Sequence, residues 1–283
     1  MEKIAVLILA HRNPNQLHRL INKFNSELFD IYIHVDKKVN FDEYYLEKNN
    51  CYFIDSRVDV KWGGFSLCEA TINLLEVASK KEYVHYYLMS GSDYLLKPSE
   101  ELYNYLVNNK KYNFNTSIKT TGFYNKRYEI MYRPWLSNNN FICKVIKNLY
   151  MIITGGRTHT FSLFKREYKK NFKVSFASEW FCYNHDAVTY ILNYLNQNKE
   201  YSEFMKSTLV PDEMFFISIL TNSSYSKTIR EGLTYVDWSE NKRSPKTFTR
   251  NDLEDLKESN YFVARKFDEN YDSEILDLLD EVN

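Results

Sequence analysis

The chain has 283 residues, and its 37 Lys and Arg balance 37 Asp and Glu, so the formal net charge is zero. That length is enough to bury one large α/β core. The charge balance excludes an overall nucleic-acid footprint and a disordered acidic tail. Twenty-four Tyr and nineteen Phe are many for this size; aromatics stack on bases and sugar faces, but core filling accounts for most of them.

Ile4 to Ala10 is a continuous apolar run of strand length, ended by His11-Arg12-Asn13-Pro14. Leu17, Leu20, Ile21 and Phe24 then recur at helical spacing. Ile31–Val35, closed by Asp36-Lys37-Lys38, predicts a second strand and Cys51–Ile54 a third. The succession β, α, β, β predicts a nucleotide-type half-domain. There is no G-x-G-x-x-G and no Walker loop, and with seven glycines in the chain a glycine-rich phosphate cradle is not expected.

Val60–Ser66 breaks the pattern. Trp62 followed by Gly63 and Gly64 permits either close backbone approach to a ligand or a plain turn before a helix. Ser66–Ala78 predicts that helix, with Leu67, Ala70, Leu74 and Val77 on one side. The aromatic and apolar run Tyr83–Met89, closed by Ser90-Gly91-Ser92-Asp93, predicts a buried strand of a parallel sheet. Ligands bind outside the carboxyl ends of such strands, which puts Asp93 where a functional carboxylate is expected. The plainer role for Asp93 is a cap on the helix over 99–108, for which Ser99 is better placed.

Between Lys119 and Lys173 twelve Lys and Arg face two acids, Glu129 and Glu167. Within that segment Phe141–Ile153 is apolar with interspersed lysines. It reads as a core-facing helix with a solvated edge, or as a surface for an anionic membrane or lipid-linked substrate. Phe176–Asn184 predicts a strand entering a helix through Leu192; Glu179 and Trp180 either line a sugar site or are buried. Pro211 suits the first position of a helix, and Asp212 and Glu213 complement its dipole. A carboxylate beside the apolar wall Met214-Phe215-Phe216 is also where reduced solvation tunes a general base. Thr234–Trp238 predicts a short strand, and Thr249 with Asp252 a capping box at a helix start. Tyr261–Asp268 carries Arg265 and Lys266 through an apolar stretch, which is costly without an anionic partner; Asp268 and a diphosphate are the candidates.

From Asn251 onward eleven acids face three cations. Cys51, Cys68, Cys143 and Cys182 lie far apart with no C-x-x-C pair, which predicts reduced structural thiols rather than disulfides or a zinc site. No secretory signal and no bilayer-length apolar run is present, so a soluble chain is expected. The six histidines show no clustered metal ligands, which disfavours a nuclease or phosphatase.

Leu7–His11, Ile33–Lys38, Trp62–Ser66, Ser90–Tyr94, Pro211–Phe216, Ser244-Pro245 and Phe262–Asp268, in that order and nearly end to end, resemble the core-2/I-branching β-1,6-N-acetylglucosaminyltransferase family, which includes the peptide O-xylosyltransferases. The resemblance implies a single GT-A-like (Rossmann-like) α/β domain, a mixed sheet flanked by helices over 1–283. Residues 1–118 would be the nucleotide-binding half and 119–283 the acceptor-binding and catalytic half. It implies an inverting transferase that uses a UDP-sugar as substrate and needs no metal or other cofactor. Glu213 would be the catalytic base. Arg243, followed by Ser244, and Lys266 would hold the leaving diphosphate. His11, Arg12, Asp36, Lys37, Trp62 and Gly63 would line the nucleotide, with Asp93 near the sugar. Trp180, Trp238, Lys126 and Arg127 would lie on the acceptor side.

The animal members' membrane anchor, stem and disulfide cysteines have no counterpart here, so Golgi location and a glycoprotein acceptor are not implied. A bacterial cytoplasmic enzyme is expected instead, building a surface polysaccharide on a glycan acceptor, lipid-linked in one version, at the inner membrane face. No strict Asp-x-Asp occurs; Asp252-Leu253-Glu254 and Asp272-Ser273-Glu274 come nearest, both in segments that read as helical. Cations on the protein can replace a metal ion at a leaving diphosphate. The alternatives are a metal-dependent transferase of the same broad fold and a non-catalytic nucleotide- or carbohydrate-binding module.

Overall fold

The computed structural model of the chain describes residues 2–116, 126–129, 141–142, 145, 167–242 and 244–282. Its centre is strand β1 (Ile4–Ala10), all seven residues of which are buried. Successive side chains of a strand point to opposite faces, so Ile4, Val6 and Ile8 enter one apolar core while Ala5, Leu7 and Leu9 enter another. Both faces of the sheet are therefore covered, as an uninterrupted apolar run requires.

Helix α1 (Pro14–Asn22), β2 (Phe29–Val35), β3 (Cys51–Phe53), α2 (Ser66–Ala78) and β4 (His85–Ser90) follow. Then come β5 (Asp93–Leu95), α3 (Ser99–Asn108), β6 (Asn113–Asn115), the short α4 (Lys126–Glu129) and β7 (Phe181–Asn184). The remainder is α5 (His185–Gln197), α6 (Lys199–Lys206), α7 (Phe215–Thr221), β8 (Ile229–Arg230), β9 (Thr234–Val236), α8 (Leu253–Glu258), β10 (Val263–Arg265) and α9 (Glu274–Val282).

The main sheet runs β3-β2-β1-β4-β7-β6-β8. β3, β2, β1 and β4 are parallel, whereas β7 is antiparallel to both β4 and β6. A second sheet, β5-β10-β9, packs beside it. This is the mixed, helix-flanked sheet expected of a GT-A-like domain. It is continuous across residue 118, because β7 of the later half sits between β4 and β6 of the earlier one. α1, α3, α8 and α9 pack into one core, and α2, α5, α6 and α7 into the other.

Several local expectations meet a different outcome. The segment 176–180 is not part of the strand that begins at Phe181; Ala177 N donates to Glu213 O (2.9 Å) and Ser178 N to Thr116 O (3.1 Å), which draws the chain across the sheet end. Pro211–Glu213 is a single 3₁₀ turn, and α7 starts only at Phe215, so the two acids precede the helix instead of opening it. Ser99 is the first helical residue after an N-cap at Pro98; its hydroxyl accepts from Asn25 N at 3.3 Å and does not cap α3. The strand predicted to Trp238 stops at Val236. The Thr249–Asp252 capping box is present, with Thr249 N donating to Asp252 Oδ2 at 2.9 Å.

Cys51, Cys68 and Cys182 are free thiols, and Cys143 lies outside the described residues. The apolar run 141–153 also lies outside them, apart from the exposed Phe141, Ile142 and Val145. No described helix is long and apolar enough to cross a membrane.

Candidate active site

The parallel strands β1, β2 and β4 end together, and their following loops are tied by backbone bonds. Asp36 N donates to Ala10 O (2.8 Å) and Gly91 N to Leu9 O (3.0 Å). The segment after β10 joins them: Phe267 N donates to Ser92 O at 2.8 Å. Buried Gln16 locks this junction, its Nε2 donating to the carbonyls of Gly91 (3.1 Å) and Phe267 (3.3 Å) while its Oε1 accepts from Glu269 N (2.9 Å). Residues near the two ends of the chain thus meet at the carboxyl edge of the sheet.

That junction is cationic. Arg12 donates through Nε and Nη2 to Ser92 Oγ, both at 3.2 Å, and Nη1 pairs with Asp268 at 3.3 Å. Asn13 Nδ2 holds the other oxygen of Asp268 at 2.8 Å. Asp268 is therefore the partner of Arg12 and not of Arg265. Half-buried Lys266 has no carboxylate within ion-pair distance among the described residues. Burial first, then Arg12 and Arg265, hold its ammonium below the usual lysine range, with Asp268 opposing. Burial, followed by Arg12, likewise holds His11 toward the neutral form. Asp36 is buried and accepts from Lys38 N at 2.9 Å, while Lys37 is exposed.

The Trp62-Gly63 turn belongs to a second group. Gly63 has φ +71°, a value open to glycine without a Cβ penalty, and its carbonyl accepts from Val210 N at 3.0 Å. Val210 is itself left-handed (φ 51°), an outlier for a β-branched residue and a strain typical of functional segments. The turn thereby fixes the approach to Pro211-Asp212-Glu213, and Lys38 Nζ, bonded to Val60 O, links it back to the loop after β2. Trp62 is 85% exposed.

Glu213 forms an ion pair with Arg127, whose own carbonyl accepts from Leu209 N at 3.3 Å. Beside it lie the carboxyls of Glu179 and Asp212, close enough to act on each other's protonation. Burial first, and then the charge of Asp212, push Glu179 well above the carboxylate range. Burial pushes Asp212 up to about 6. Asp212 Oδ1 is buried without a hydrogen-bond partner among the described residues.

Arg265 stands between the two groups. It lies opposite Asp93 in the β5–β10 register, its Nη1 3.5 Å from Asp93 Oδ1, and its guanidinium carbon is 4.0 Å above the ring of buried Trp180. Its charge acts on His11 and Lys266 and also on Glu179. Asp93 is fully buried; its other oxygen accepts from Ser90 N at 2.8 Å. Burial raises its carboxyl and Arg265 opposes that shift.

The structure therefore brings together His11, Arg12, Asp93, Trp180, Arg127, Glu213 and Lys266. It places Trp238 (53% exposed) in the turn after β9, where Asn241 N donates to its carbonyl at 3.0 Å, with Ser244 exposed nearby in sequence. Arg243 and the Lys126 side chain lie outside the described residues. Arg265 and Asp212 were not among the expected site residues. The only sequence signals were an arginine in an apolar stretch and an acid next to the expected base. Among the described residues no three His, Cys, Asp or Glu are grouped as metal ligands.

The family model for the Core-2/I-Branching enzyme matches residues 4–260. Xylosyltransferase 2 of Canis lupus familiaris is 28% identical over 310 residues, covering 98% of this chain and 33% of that protein. Xylosyltransferase 1 of Rattus norvegicus is 25% identical over 306 residues, covering 98% and 35%. The chain spans about a third of the length of these curated relatives. Among solved structures, Staphylococcus aureus TarS 1–349 aligns with a TM-score of 0.41 at 12% identity, over 98% of this chain and 64% of that one. An overlay at that score carries no functional information. With the family model matching most of its length, the chain belongs to the core-2/I-branching enzyme family.

Proposed function

We propose that the chain is an inverting glycosyltransferase that moves a sugar from a UDP-sugar to a hydroxyl of a glycan acceptor without a metal ion. The observation that carries this reading is the position of Arg265, within electrostatic reach of His11 and Lys266 and also of Glu179, which neighbours Asp212 and Glu213. A donor with its diphosphate at the cations and its sugar toward the acids has its anomeric carbon between leaving group and base. Glu213 then takes the acceptor proton as the acceptor oxygen bonds to that carbon. The bond to the diphosphate breaks on the opposite face, and its electron pair leaves with UDP.

Fixed cations aimed at developing negative charge lower such a barrier. Lys266 and Arg12 supply them, with Arg243 and Ser244 added by resemblance. His11, Asp36 and Lys37 are assigned to the nucleoside end, and Trp238 and Lys126 to the acceptor. Arg127, as the counter-ion of Glu213, leaves the base when the acceptor hydroxyl arrives or orients it throughout. The relatives' names put UDP-xylose on the donor panel. The basic segment Lys119–Lys173 motivates a lipid-linked acceptor of a bacterial surface polysaccharide at an anionic membrane face; co-sedimentation with anionic vesicles tests it.

Thermal unfolding against a panel of UDP-sugars should show protection by at least one donor. Glu213→Gln should lose transfer and keep UDP binding, and EDTA should leave the rate unchanged. Transfer that persists in Glu213→Gln moves the base elsewhere. A strict manganese requirement favours the metal-dependent alternative, and UDP binding without transfer favours the binding-module one.

A further inference from the structure

Arg265 is held more tightly than a leaving-group contact needs. Its side chain is only 12% exposed, Asp93 behind it is fully buried, and the 3.5 Å between them is at the outer limit of hydrogen bonding. Asp93 Oδ1, Arg265 Nε and Arg265 Nη1 are all buried and have no hydrogen-bond partner among the described residues. Sealing three polar atoms this way is unfavourable for the fold by itself. What the arrangement gains is orientation. Trp180 fixes the guanidinium plane from below at 4.0 Å and Asp93 fixes it from behind. Nη2 is the one guanidinium nitrogen not among these buried, unpartnered atoms, and the guanidinium lies within electrostatic reach of both Lys266 and Glu179.

We propose that Arg265 Nη2 is the contact that reads a hydroxyl or ring oxygen of the donor sugar, with Asp93 and Trp180 as positioning residues behind it. The inference rests on the UDP-sugar reading and names what that site recognises in the sugar. An oxygen acceptor at this place has two sources, the sugar and the diphosphate. The sugar is favoured because the buried Asp93 charge offsets that of Arg265. A near-neutral pair gains little from a doubly charged diphosphate, yet still presents an oriented N–H to an uncharged oxygen. Lys266 has no such offsetting carboxylate within ion-pair distance among the described residues, and it is the better diphosphate contact. A site built to hydrogen-bond a substrate oxygen discriminates strongly against ligands that lack it, because its own polar group is then left unpaired.

The test is calorimetric titration of UDP and of UDP-glucose, UDP-N-acetylglucosamine and UDP-xylose into the wild-type chain and into Arg265→Gln, Arg265→Lys and Asp93→Asn. Arg265→Gln should weaken the best UDP-sugar by about 10- to 100-fold while UDP stays within about twofold. Arg265→Lys, which keeps charge but not the planar fork, should lose part of the same ratio, and Asp93→Asn a smaller part. Equal weakening of UDP and UDP-sugar makes Arg265 a diphosphate contact and overturns the inference. An unchanged ratio in every variant makes the pair structural and overturns it too. If Arg265→Gln does not fold, the ratio is read from Arg265→Lys and Asp93→Asn. Wild-type protein that binds no UDP at all removes the UDP-sugar reading itself, an outcome distinct from a ratio that Arg265 does not control.

Discussion

Replacing Asp212 with Asn tests whether the buried carboxyl pair is kept at the expense of stability. In the folded chain burial raises Asp212 from the ordinary 3.8 to about 6; Glu213 adds to the rise, while Glu179 and the charge of Arg127 oppose it. The native state therefore holds this proton more tightly than the unfolded chain. The group's contribution to stability is most favourable below 3.8 and falls as pH rises through the window from 3.8 to about 6. At about 1.4 kcal/mol per pH unit the full penalty above that window is about 3 kcal/mol. Partial access of water to the side chain reduces the expected value to about 1–2 kcal/mol. Asn keeps the shape and cannot ionise. Asp212→Asn should thus match the wild type near pH 4 and exceed it by about 1–2 kcal/mol at pH 7.5, a rise in melting temperature of about 2–6 °C. Urea unfolding of both proteins across this range reads Asp212 together with Glu179, whose titration it shifts, while more distant titrations cancel in the difference. A variant less stable than wild type at pH 7.5, or a difference that does not change with pH, would refute the strained-pair reasoning.

Glu179 gives the complementary result. Glu179→Ala removes the neighbour that opposes the rise of Asp212 and should cost about 1–3 kcal/mol, while Glu179→Gln keeps a polar group of the same shape and should stay within about 1 kcal/mol by chemical unfolding. Lys266→Ala should lower transfer by about 100-fold in steady-state assays with little effect on melting, since the lysine has no ion-pair partner to lose among the described residues. Although burial raises Asp280, bonds from Tyr94, Arg19 and Lys23 hold it below the usual carboxylate range. Its stabilisation is therefore present above the unfolded value of 3.8 and lost as pH falls below it. Asp280→Asn should cost about 1–3 kcal/mol at pH 7, and that deficit should shrink on acidification; a pH-independent deficit would count against the ion pairs.

The elements read correctly from the sequence are those whose signals are local. β1 and α2 begin and end where an apolar run and an amphipathic period do, and the Thr249–Asp252 box needs only three residues of context. The stretch Pro211-Asp212-Glu213 stands out because its signal is compact, and the base role proposed for Glu213 comes from the resemblance. Its neighbours do not stand out. Arg265 faces Asp93 only because β10 pairs antiparallel with β5, and no short pattern encodes that register. The Glu179–Asp212 pair arises from the crossing of 176–180 over the sheet end, where backbone donors go to Glu213 and Thr116 instead of to a strand. The left-handed Val210 is invisible to propensity, since a β-branched residue argues against that conformation. Long-range pairing and local strain are what the linear pattern omits.

The same reasoning changes the meaning of the acidic C-terminal stretch. Eleven acids against three cations suggest a repelling segment, but most of these carboxylates are spoken for. Asp252 pairs with Lys246 (2.5 Å), Asp268 with Arg12, Asp277 and Asp280 with Arg19, and Asp280 also with Lys23. Asp272 and Glu274 engage Arg250. The most exposed of these pairs, Arg250–Glu274, contributes little by itself. Together they set register, drawing α9 and the segment after β10 onto α1 and the first loop. Lys266 and Arg265 are delivered to the sheet edge by that docking, which is why both reach a site whose other members, His11 and the cation Arg12, lie near the opposite end of the chain. The charge asymmetry of the sequence is thus a device for assembling the positive side of the site, and the carboxylates that build it are not themselves part of the chemistry.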